Sequence, residues 1–242
     1  MAAIAGPMII EGCKKESVDT SAATTTSTTT TTTTTAASTT GSCVLTPTET
    51  EGPYPYVGGE LTNPLNRTDV TESTQTGVPL TLNFVVVNTN DNCNVVSGAR
   101  VDIWHCNKDG YYSGYASQPG ILGTQSYVGK TWLRGYQLSD TSGVAKFTTI
   151  YPGWYSGRAT HVHIEVYVSG VLKKTGQVAF SQAITNLVYA SSLYTGLGTN
   201  PTTNSSDSVF GDSATDLSNE TLSLTGSVAA GYAGSYTIGI AL

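Results

Sequence analysis

The chain has 242 residues, a formal net charge of −6 at pH 7 and only 12% charged residues. A chain of this length can form one well-buried domain with an appendage. Its 11 Lys and Arg residues form no cluster, so we expect no nucleic acid partner. Low charge together with abundant Gly, Thr, Ser and Tyr is typical of an exported all-β protein.

Residues 1–13 form a short apolar segment that ends in Gly12-Cys13 and is followed by two lysines. This segment resembles the end of a bacterial lipoprotein signal, whose cysteine becomes the lipidated first residue. Glu11 departs from the usual lipobox, and a frayed N-terminus with a chance cysteine is the alternative interpretation. We expect an exported protein that is held at a membrane through Cys13. After residue 15, no run of about 20 apolar residues could span a bilayer.

Residues 17–42 are polar, and Thr24–Thr40 consists almost entirely of Thr, Ser and Ala. Without large apolar side chains, such a segment cannot bury enough surface to offset its ordering entropy. We therefore predict that residues 1–42 are an anchor and a disordered tether. Residues 43–242 are predicted to be one folded domain.

The domain begins with strand and turn patterns. Leu80–Val87 is rich in β-branched residues and partly alternates, and the Asn- and Asp-bearing segment Asn88–Asn94 that follows is typical of a turn. Ala99–Trp104 is a second predicted strand. Two further candidate strands flank the turn Asp140–Gly143, and together they predict a β-hairpin; they are Arg134–Leu138 and Val144–Ile150.

The remaining patterns also favour strands. His161–Val168 alternates, and Gly176–Phe180 and Tyr236–Leu242 are candidates for further strands. No segment of ten or more residues shows a clean helical period, and the polar, Gly-bearing residues Gly196–Ser218 predict a long surface loop. The expected fold class is all-β: a β-sandwich of mainly antiparallel strands with long loops.

The four cysteines are Cys13, Cys43, Cys93 and Cys106, and no two are spaced as C-x-x-C. This spacing excludes a zinc ribbon. If Cys13 is lipidated, at most one internal disulfide is possible, and export favours its formation. The sequence leaves the pair open, and we interpret Cys106 as structural.

A candidate metal site begins at His161 and His163. In a strand, residues two apart face the same side, so both imidazoles can reach one metal ion. Tyr155 lies in a Pro-Gly-Trp-Tyr turn just before them, and Tyr112 follows Gly110 in another turn. Two phenolates with two imidazoles favour a hard, highly charged ion such as Fe³⁺.

Other interpretations stay open at this point. Glu165 shares the strand face of the histidines, so a ferrous site with two His and one carboxylate fits the same spacing. Tyr111 is adjacent to Tyr112 and equally able to supply a phenol, and His105 is available as a ligand near a strand end. Buried histidines can also simply be packed in a core.

Five motifs resemble those of the intradiol ring-cleavage dioxygenases, the family of catechol 1,2-dioxygenase and protocatechuate 3,4-dioxygenase. They are Glu51-Gly52-Pro53-Tyr54, Val101-Asp102-Ile103-Trp104, Gly110-Tyr111-Tyr112-Ser113, Thr149-Ile150-Tyr151-Pro152-Gly153-Trp154-Tyr155 and Arg158-Ala159-Thr160-His161-Val162-His163. The last is similar to the family's Arg-x-x-His-x-His signature. It carries Ala-Thr where better-known members have Pro-Ala, which leaves the spacing of the histidines intact.

The resemblance implies roles for individual residues. Tyr112, Tyr155, His161 and His163 would bind Fe³⁺, and Glu165 would have no metal role. Tyr155 would leave the metal when substrate binds, and Arg158 would stabilise negative charge on the substrate ring. Gln177 falls where the family has a glutamine behind the ligands. We expect Tyr54 to line the pocket and Trp104 to pack in the core.

The implied activity is cleavage of a catechol-type ring between its two hydroxylated carbons, with both atoms of O2 entering a muconate-type dicarboxylate. Catechol, protocatechuate, hydroxyquinol and larger aromatic diols all remain candidate substrates. The alternative is a non-catalytic, exported transthyretin-like β-sandwich that binds a carbohydrate or a protein. Such a module has no reason to keep two Tyr, two His and an Arg together.

Overall fold

A computed structural model of the chain describes residues 43–55 and 65–242, together with Ala2. The chain divides into two units, Met1–Thr35 and Ala36–Leu242, and the description below concerns the second. The predicted anchor with Cys13 and the predicted Thr-rich tether lie outside the described residues, so both stay predictions. Among the residues that are described, no helix is long and apolar enough to cross a membrane.

Nine strands and two short helices make up the described domain. The strands are β1 (Pro79–Asn88), β2 (Asn94–Val95), β3 (Arg100–Trp104), β4 (Arg134–Leu138), β5 (Val144–Ile150), β6 (His161–Val168), β7 (Val171–Ala179), β8 (Ser223–Ser227) and β9 (Gly231–Ile240), and the helices are α1 (Gln182–Tyr189) and α2 (Ala214–Glu220). A 3₁₀ turn covers Asn204–Ser206.

The strands form two sheets, and the all-β class predicted from the sequence is confirmed. One sheet has the order β2-β1-β9-β8, with β5 also pairing with β1. The other has the order β4-β3-β6-β7. Every pairing is antiparallel except that of β1 with β9.

The predicted hairpin of β4 and β5 is wrong, although both strands exist where the sequence indicated. β4 pairs with β3, whereas β5 pairs with β1 in the other sheet. The turn Asp140–Gly143 therefore carries the chain from one sheet to the other. A sequence pattern of two strands and a tight turn cannot distinguish these cases, because each strand buries one face in either arrangement.

The main core lies between the two sheets. Val101, Ile103 and Val162 from the four-stranded sheet pack in one cluster with Leu82 and Phe84 of β1. Alternation along each strand sends these side chains inward and their neighbours to the opposite face. In β6 both faces are buried, so something other than the second sheet must cover the outer face.

Segments outside the strands provide that cover. The predicted surface loop Gly196–Ser218 is only partly on the surface, since Asp207 and Phe210 are buried and α2 begins within it. Phe210 packs with Ala159 and Ala179, where β6 begins and β7 ends. The prediction of a surface loop is only partly right, because most of the few apolar residues in this segment are buried.

One disulfide joins Cys43 to Cys93, which ties the start of the domain to the turn after β1. It resolves the pairing that the sequence left open. Cys106 is free and buried, and its thiol donates to the Gly153 carbonyl at 3.4 Å. Burial raises the pKa of the Cys106 thiol to about 12, which fits the structural role predicted for it.

Candidate functional site

The candidate site lies on the outer face of the four-stranded sheet, at the start of β6. Alternation places His161, His163 and Glu165 on this face, while Val162 and Ile164 point into the main core. Trp104 of β3 is directly opposite His163 in the ladder, and Gln177 of β7 is its partner on the other side. All of these side chains are buried.

Four side chains meet here through their polar atoms. Tyr112 Oη lies 3.2 Å from both His161 Nε2 and His163 Nε2. Tyr155 Oη lies 3.2 Å from His161 Nε2, and the two Nε2 atoms are 3.1 Å apart. Four lone-pair donors so close together form a donor set of two nitrogens and two oxygens that can surround a single ion.

The two phenols come from turns that interlock through their glycines. A Cβ on Gly110 would lie 2.2 Å from the Trp154 carbonyl oxygen, and one on Gly153 would lie 2.4 Å from the Lys108 carbonyl oxygen. The Gly153 N–H also donates to the Asn107 carbonyl at 3.0 Å. Because neither contact has room for a side chain, this packing requires glycine at both positions.

Tyr112 and its rival Tyr111 point in different directions. The backbone of Tyr112 is held on both sides by Gln118, whose amide accepts from the Tyr112 N–H and donates to its carbonyl, each at 2.7 Å. Tyr111 instead donates its hydroxyl to the Gly123 carbonyl at 2.6 Å. The structure therefore brings Tyr112, and not Tyr111, to the histidines.

Trp104 and Gly52 both pack against the imidazole of His163. The Trp104 ring stacks on it with a centroid distance of 4.8 Å and an interplanar angle of 3°. Gly52 lies against it, since a Cβ there would come within 3.0 Å of the ring. Its Nδ1 has no hydrogen-bond partner among the described residues. Trp104 is buried as expected, in a second apolar core cluster that borders the site.

The electrostatics favour neutral imidazoles. Burial, together with the nearby Arg158 charge, lowers the pKa of His161 to about 3, and burial also lowers the pKa of His163 well below its usual value. His161 Nδ1 lies 2.6 Å from the Ala159 carbonyl, which fixes the proton there and leaves Nε2 as a lone pair. Both histidines are therefore available as ligands at neutral pH.

The two phenols need a cation in order to ionise. Burial raises the pKa of Tyr155 to about 12, although the Arg158 charge opposes this effect. Burial likewise raises the pKa of Tyr112 well above its usual value. Without a positive ion both phenols stay protonated at neutral pH, so the donor set suits an ion of high charge, which would stabilise the phenolates.

The carboxylate alternative finds less support. Glu165 is buried, and its carboxylate accepts from the Tyr167 hydroxyl at 2.6 Å and from the Thr175 hydroxyl at 3.2 Å. Within the described residues, no group of three or more His, Cys, Asp or Glu could hold a metal. His105 is also engaged elsewhere, with Nε2 at 2.7 Å from the Thr149 hydroxyl.

Arg158 reaches the site through a network that fixes its position. Its Nε donates to Asp207 Oδ2 at 2.9 Å, and an Nη2 proton goes to Gln177 Oε1 at 2.6 Å. Gln177 is itself held by donation to the Thr50 carbonyl at 2.8 Å. The predicted Arg158 and Gln177 are thus joined directly.

Asp207 is a residue that the sequence did not reveal. Its Oδ2 also accepts from the Ala159 N–H at 2.5 Å, and its Oδ1 accepts from the Val209 and Phe210 N–H groups at 2.8 and 3.2 Å. These hydrogen bonds and the Arg158 charge outweigh the effect of burial and lower the pKa of Asp207. No motif precedes or follows it, so only the folded chain brings it to Arg158.

Arg134 is a second residue that was missed. It is buried and donates to the carbonyls of Tyr54, Pro55 and Ser113 at 2.9 to 3.0 Å. These bonds hold Tyr54 over the site, where its ring stacks on Tyr112 with a centroid distance of 4.9 Å. Tyr54 and Tyr155 both line an open cavity of about 400 Å³, as expected for a pocket wall.

A family model and several solved structures both relate this chain to dioxygenases. A family model described as “Dioxygenase” matches residues 50–193. No curated protein sequence matches the chain significantly.

Among solved structures, the chain is similar to an intradiol ring-cleavage dioxygenase from Tetranychus urticae, with 25% identity and a TM-score of 0.72, over 82% of this chain and 95% of that one. It is also similar to the dioxygenase domain of a dioxygenase carbohydrate-binding protein fusion from Streptomyces sp. SirexAA-E, at 22% identity and a TM-score of 0.59, over 82% and 99% of the two chains. A 3-chlorocatechol 1,2-dioxygenase from Rhodococcus opacus 1CP shares 16% identity and a TM-score of 0.55, over 81% and 72%. The last two likenesses concern the fold alone.

Proposed function

Because the chain belongs to the intradiol ring-cleavage dioxygenase family, we propose that it uses Fe³⁺ and O2 to open a catechol-type ring between the two hydroxylated carbons. The observation that carries the proposal is the meeting of Tyr112, Tyr155, His161 and His163 with polar atoms 3.1 to 3.2 Å apart. A purely packed core would not bring four lone-pair donors together away from water, since each would lose its hydration.

These four residues would hold the ion. Two neutral imidazoles and two phenols that ionise only beside a cation match the preferences of ferric iron. When bound, Fe³⁺ would supply a Lewis acid that favours ionisation of both substrate hydroxyls, and the ionised diol has an electron-rich ring. The stacking of Trp104 on His163 and the Gln118 bonds to Tyr112 keep two of the donors in position before any ion arrives.

Tyr155 is the donor best placed to leave. Its side chain is only partly buried, borders the open cavity and has its hydroxyl 3.2 Å from His161, whereas Tyr112 is fully buried. We assign Tyr155 Oη as the base that takes a proton from a substrate hydroxyl as the diol replaces it. Burial raises the pKa of Tyr155 to about 12, and the Arg158 charge opposes this effect only in part, so the released phenolate would be basic enough to take this proton.

Arg158 would supply a fixed positive charge to the electron-rich ring. Its bonds to Asp207 and Gln177 prevent it from turning to solvent, and such a preorganised charge in a dry site can contribute roughly 3 kcal/mol to transition-state stabilisation. The overall reaction breaks the bond between the two hydroxylated carbons. Both oxygen atoms of O2 enter the product, one on each of these carbons, so that the diol becomes a dicarboxylic acid.

We also propose that the protein is exported and tethered through a lipid on Cys13. The Cys43–Cys93 disulfide supports an oxidising compartment outside the cytoplasm. Mass spectrometry of the protein from a membrane fraction tests the tether. A lipid mass on the peptide that begins at Cys13 is the expected result, and an unmodified Cys13 in a soluble fraction would contradict it.

The first test of the proposed activity is the visible absorption spectrum of the iron-loaded protein. Iron-loaded protein should show a visible charge-transfer band from phenolate to Fe³⁺, and Tyr155→Phe should shift or weaken that band. Oxygen uptake should match the ring-opened product one to one across a panel of catechols. A colourless protein that binds no iron and consumes no O2 would instead favour the non-catalytic binding module.

A further inference from the structure

The cavity beside Tyr155 is built from three segments. Its described lining consists of Pro53–Tyr54, Pro119–Ile121 and Tyr155–Ser156, and its volume is about 400 Å³. The cavity borders the candidate site through Tyr155, whose Oη lies 3.2 Å from His161 Nε2. A single aromatic ring with a substituent fits in a space of this size.

One wall of the cavity is preformed. Gln118 and Gln125 close the loop between them with two backbone hydrogen bonds, at 2.8 and 3.0 Å. Tyr111 supports the loop from beneath, because it donates to the Gly123 carbonyl and its ring lies 2.6 Å from where a Gly120 Cβ would be. The phenol that does not reach the histidines therefore holds the wall that carries Ile121.

No positive charge faces the cavity from this lining. The described lining residues are all uncharged. None of the described residues in 53–55, 65–66 and 111–129 is Lys or Arg. Two cations lie near the site: the Arg158 guanidinium is bonded to Asp207 and Gln177, and Arg134 donates to backbone carbonyls, among them that of Tyr54. A carboxylate on the substrate ring would therefore lose water without gaining a new ion pair, which is costly.

The mouth of the cavity is apolar. Ile121 has 50% of its surface exposed and Leu122 has 43%, although both are at the tip of a loop where polar residues are usual. Ile121 lines the cavity, so an apolar substituent on the substrate could cover it and remove apolar surface of both partners from water.

We propose that the site selects catechols whose ring substituent is uncharged and apolar, that it discriminates against carboxylated catechols, and that Ile121 is the residue that sets this preference. The inference rests on the proposed ring-cleaving function. It narrows the substrate candidates left open by the sequence, since it disfavours protocatechuate, which is 3,4-dihydroxybenzoate.

The first test compares kcat/KM for three diols: catechol, 4-tert-butylcatechol and 3,4-dihydroxybenzoate. The iron-loaded full chain should prefer 4-tert-butylcatechol to 3,4-dihydroxybenzoate by at least about tenfold, because a buried unpaired charge costs more than a lost apolar contact. Equal or better use of 3,4-dihydroxybenzoate would overturn the inference while leaving the proposed activity intact. Failure to open any catechol would instead overturn the proposed function.

Two variants locate the preference. Ile121→Lys adds a cation at the mouth and should reduce the ratio of 4-tert-butylcatechol to 3,4-dihydroxybenzoate by about tenfold. The control is Val128→Lys, which adds the same charge at a side chain that is 65% exposed and outside the described lining; it should leave the ratio unchanged. Ile121→Ala should lower kcat/KM for 4-tert-butylcatechol more than kcat/KM for catechol. If the two lysine variants change the ratio equally, Ile121 does not set the preference.

A third measurement does not depend on turnover. Ligand-observed NMR on the full chain before iron loading compares 4-tert-butylphenol with 4-hydroxybenzoate, which lack the second hydroxyl. The alkylphenol should show transfer of saturation from the protein, and Ile121→Lys should weaken that signal while strengthening the signal of 4-hydroxybenzoate. Equal signals from both phenols with the unsubstituted chain would overturn the charge selection, whatever the enzyme assay shows.

Discussion

The two faces of strand β6 are equally buried and yet chemically opposite. On the inner face, Val162, Ile164 and Val166 pack against the five-stranded sheet. On the outer face, His161, His163 and Glu165 are covered by loops and turns. The extent of burial therefore does not distinguish the core from the site in this molecule. The two faces differ in what covers them, which is a sheet on the inner face and loops and turns on the outer face.

The difference has an energetic basis. Inner-face side chains leave water for an apolar cluster, which stabilises the fold. Outer-face groups leave water too, but their desolvation costs free energy, as the lowered pKa of His161 and the raised pKa of Tyr155 show. The strand can carry a site of this kind because its other face holds it in the sheet.

The largest effects are expected from substitutions of His163 and Ile164, which are adjacent in β6 and lie on its opposite faces. Ile164→Ala should lower the free energy of unfolding by about 2–5 kcal/mol and leave the visible iron band intact below the unfolding transition. His163→Ala should abolish the band and lower activity by more than about 100-fold, since loss of a ligand exceeds the effect of losing a ligand's support. Denaturant titration and absorption spectra measure both. If Ile164→Ala also removed the band while the protein was folded, the two faces would not be separable.

The adjacent tyrosines provide the next test, because only one of them reaches the histidines. Tyr112→Phe should change the visible band and lower activity by about 100-fold or more. Tyr111→Phe should leave the band unchanged and cost about 1 kcal/mol of stability, since it loses one hydrogen bond to the Gly123 carbonyl. A changed band in Tyr111→Phe would contradict the assignment of the ligand.

A substitution of Asp207 tests whether the loop that covers the outer face also holds Arg158 in position. Asp207→Asn keeps the shape of the side chain but weakens the hold on Arg158, so kcat/KM should fall by about 10- to 100-fold while the iron band stays the same. The double variant with Arg158→Ala should lose little more than Arg158→Ala alone, because both act through one interaction. Additive losses would show that Asp207 does not act through Arg158.

The smallest effect is expected at Glu220, a buried carboxyl at the end of α2 that faces Glu49. Burial, and then the Glu49 charge, raise the pKa of Glu220 from its ordinary 4.5 to about 8. The folded chain thus holds this proton longer than the unfolded chain. Its contribution to stability is fully present below pH 4.5 and is lost as the pH rises through about 8.

Glu220→Gln should remove this pH dependence. Between pH 5 and pH 8.5 the Tm of Glu220→Gln should fall less than the Tm of the unsubstituted chain, by about 2–4 °C for each kcal/mol of stability that Glu220 loses in this range. Thermal unfolding followed by circular dichroism measures the difference. Asp91→Asn removes one exposed carboxylate elsewhere and serves as the control for net charge; if it has the same effect as Glu220→Gln, the dependence does not come from Glu220.

Much of the fold was readable from local pattern. The alternation in β6 and the β-branched run of β1 predicted these strands and the two-sheet class, because a strand buries alternate side chains wherever its partners come from. The same period of two placed His161 and His163 on one face. Their meeting with Tyr112 and Tyr155 was expected from motif resemblance, and the roles of all four as ligands stay predictions.

Partners that are distant in the sequence were decided by the tertiary structure alone. β4 and β5 flank a tight turn, yet they belong to different sheets, since hydrogen bonding in a ladder depends on which edge is free and not on the turn. The Cys43–Cys93 pair and the ion pair of Asp207 with Arg158 are likewise contacts of high sequence separation. A local pattern carries no information about such contacts, because it records which face a residue presents and not what will cover that face.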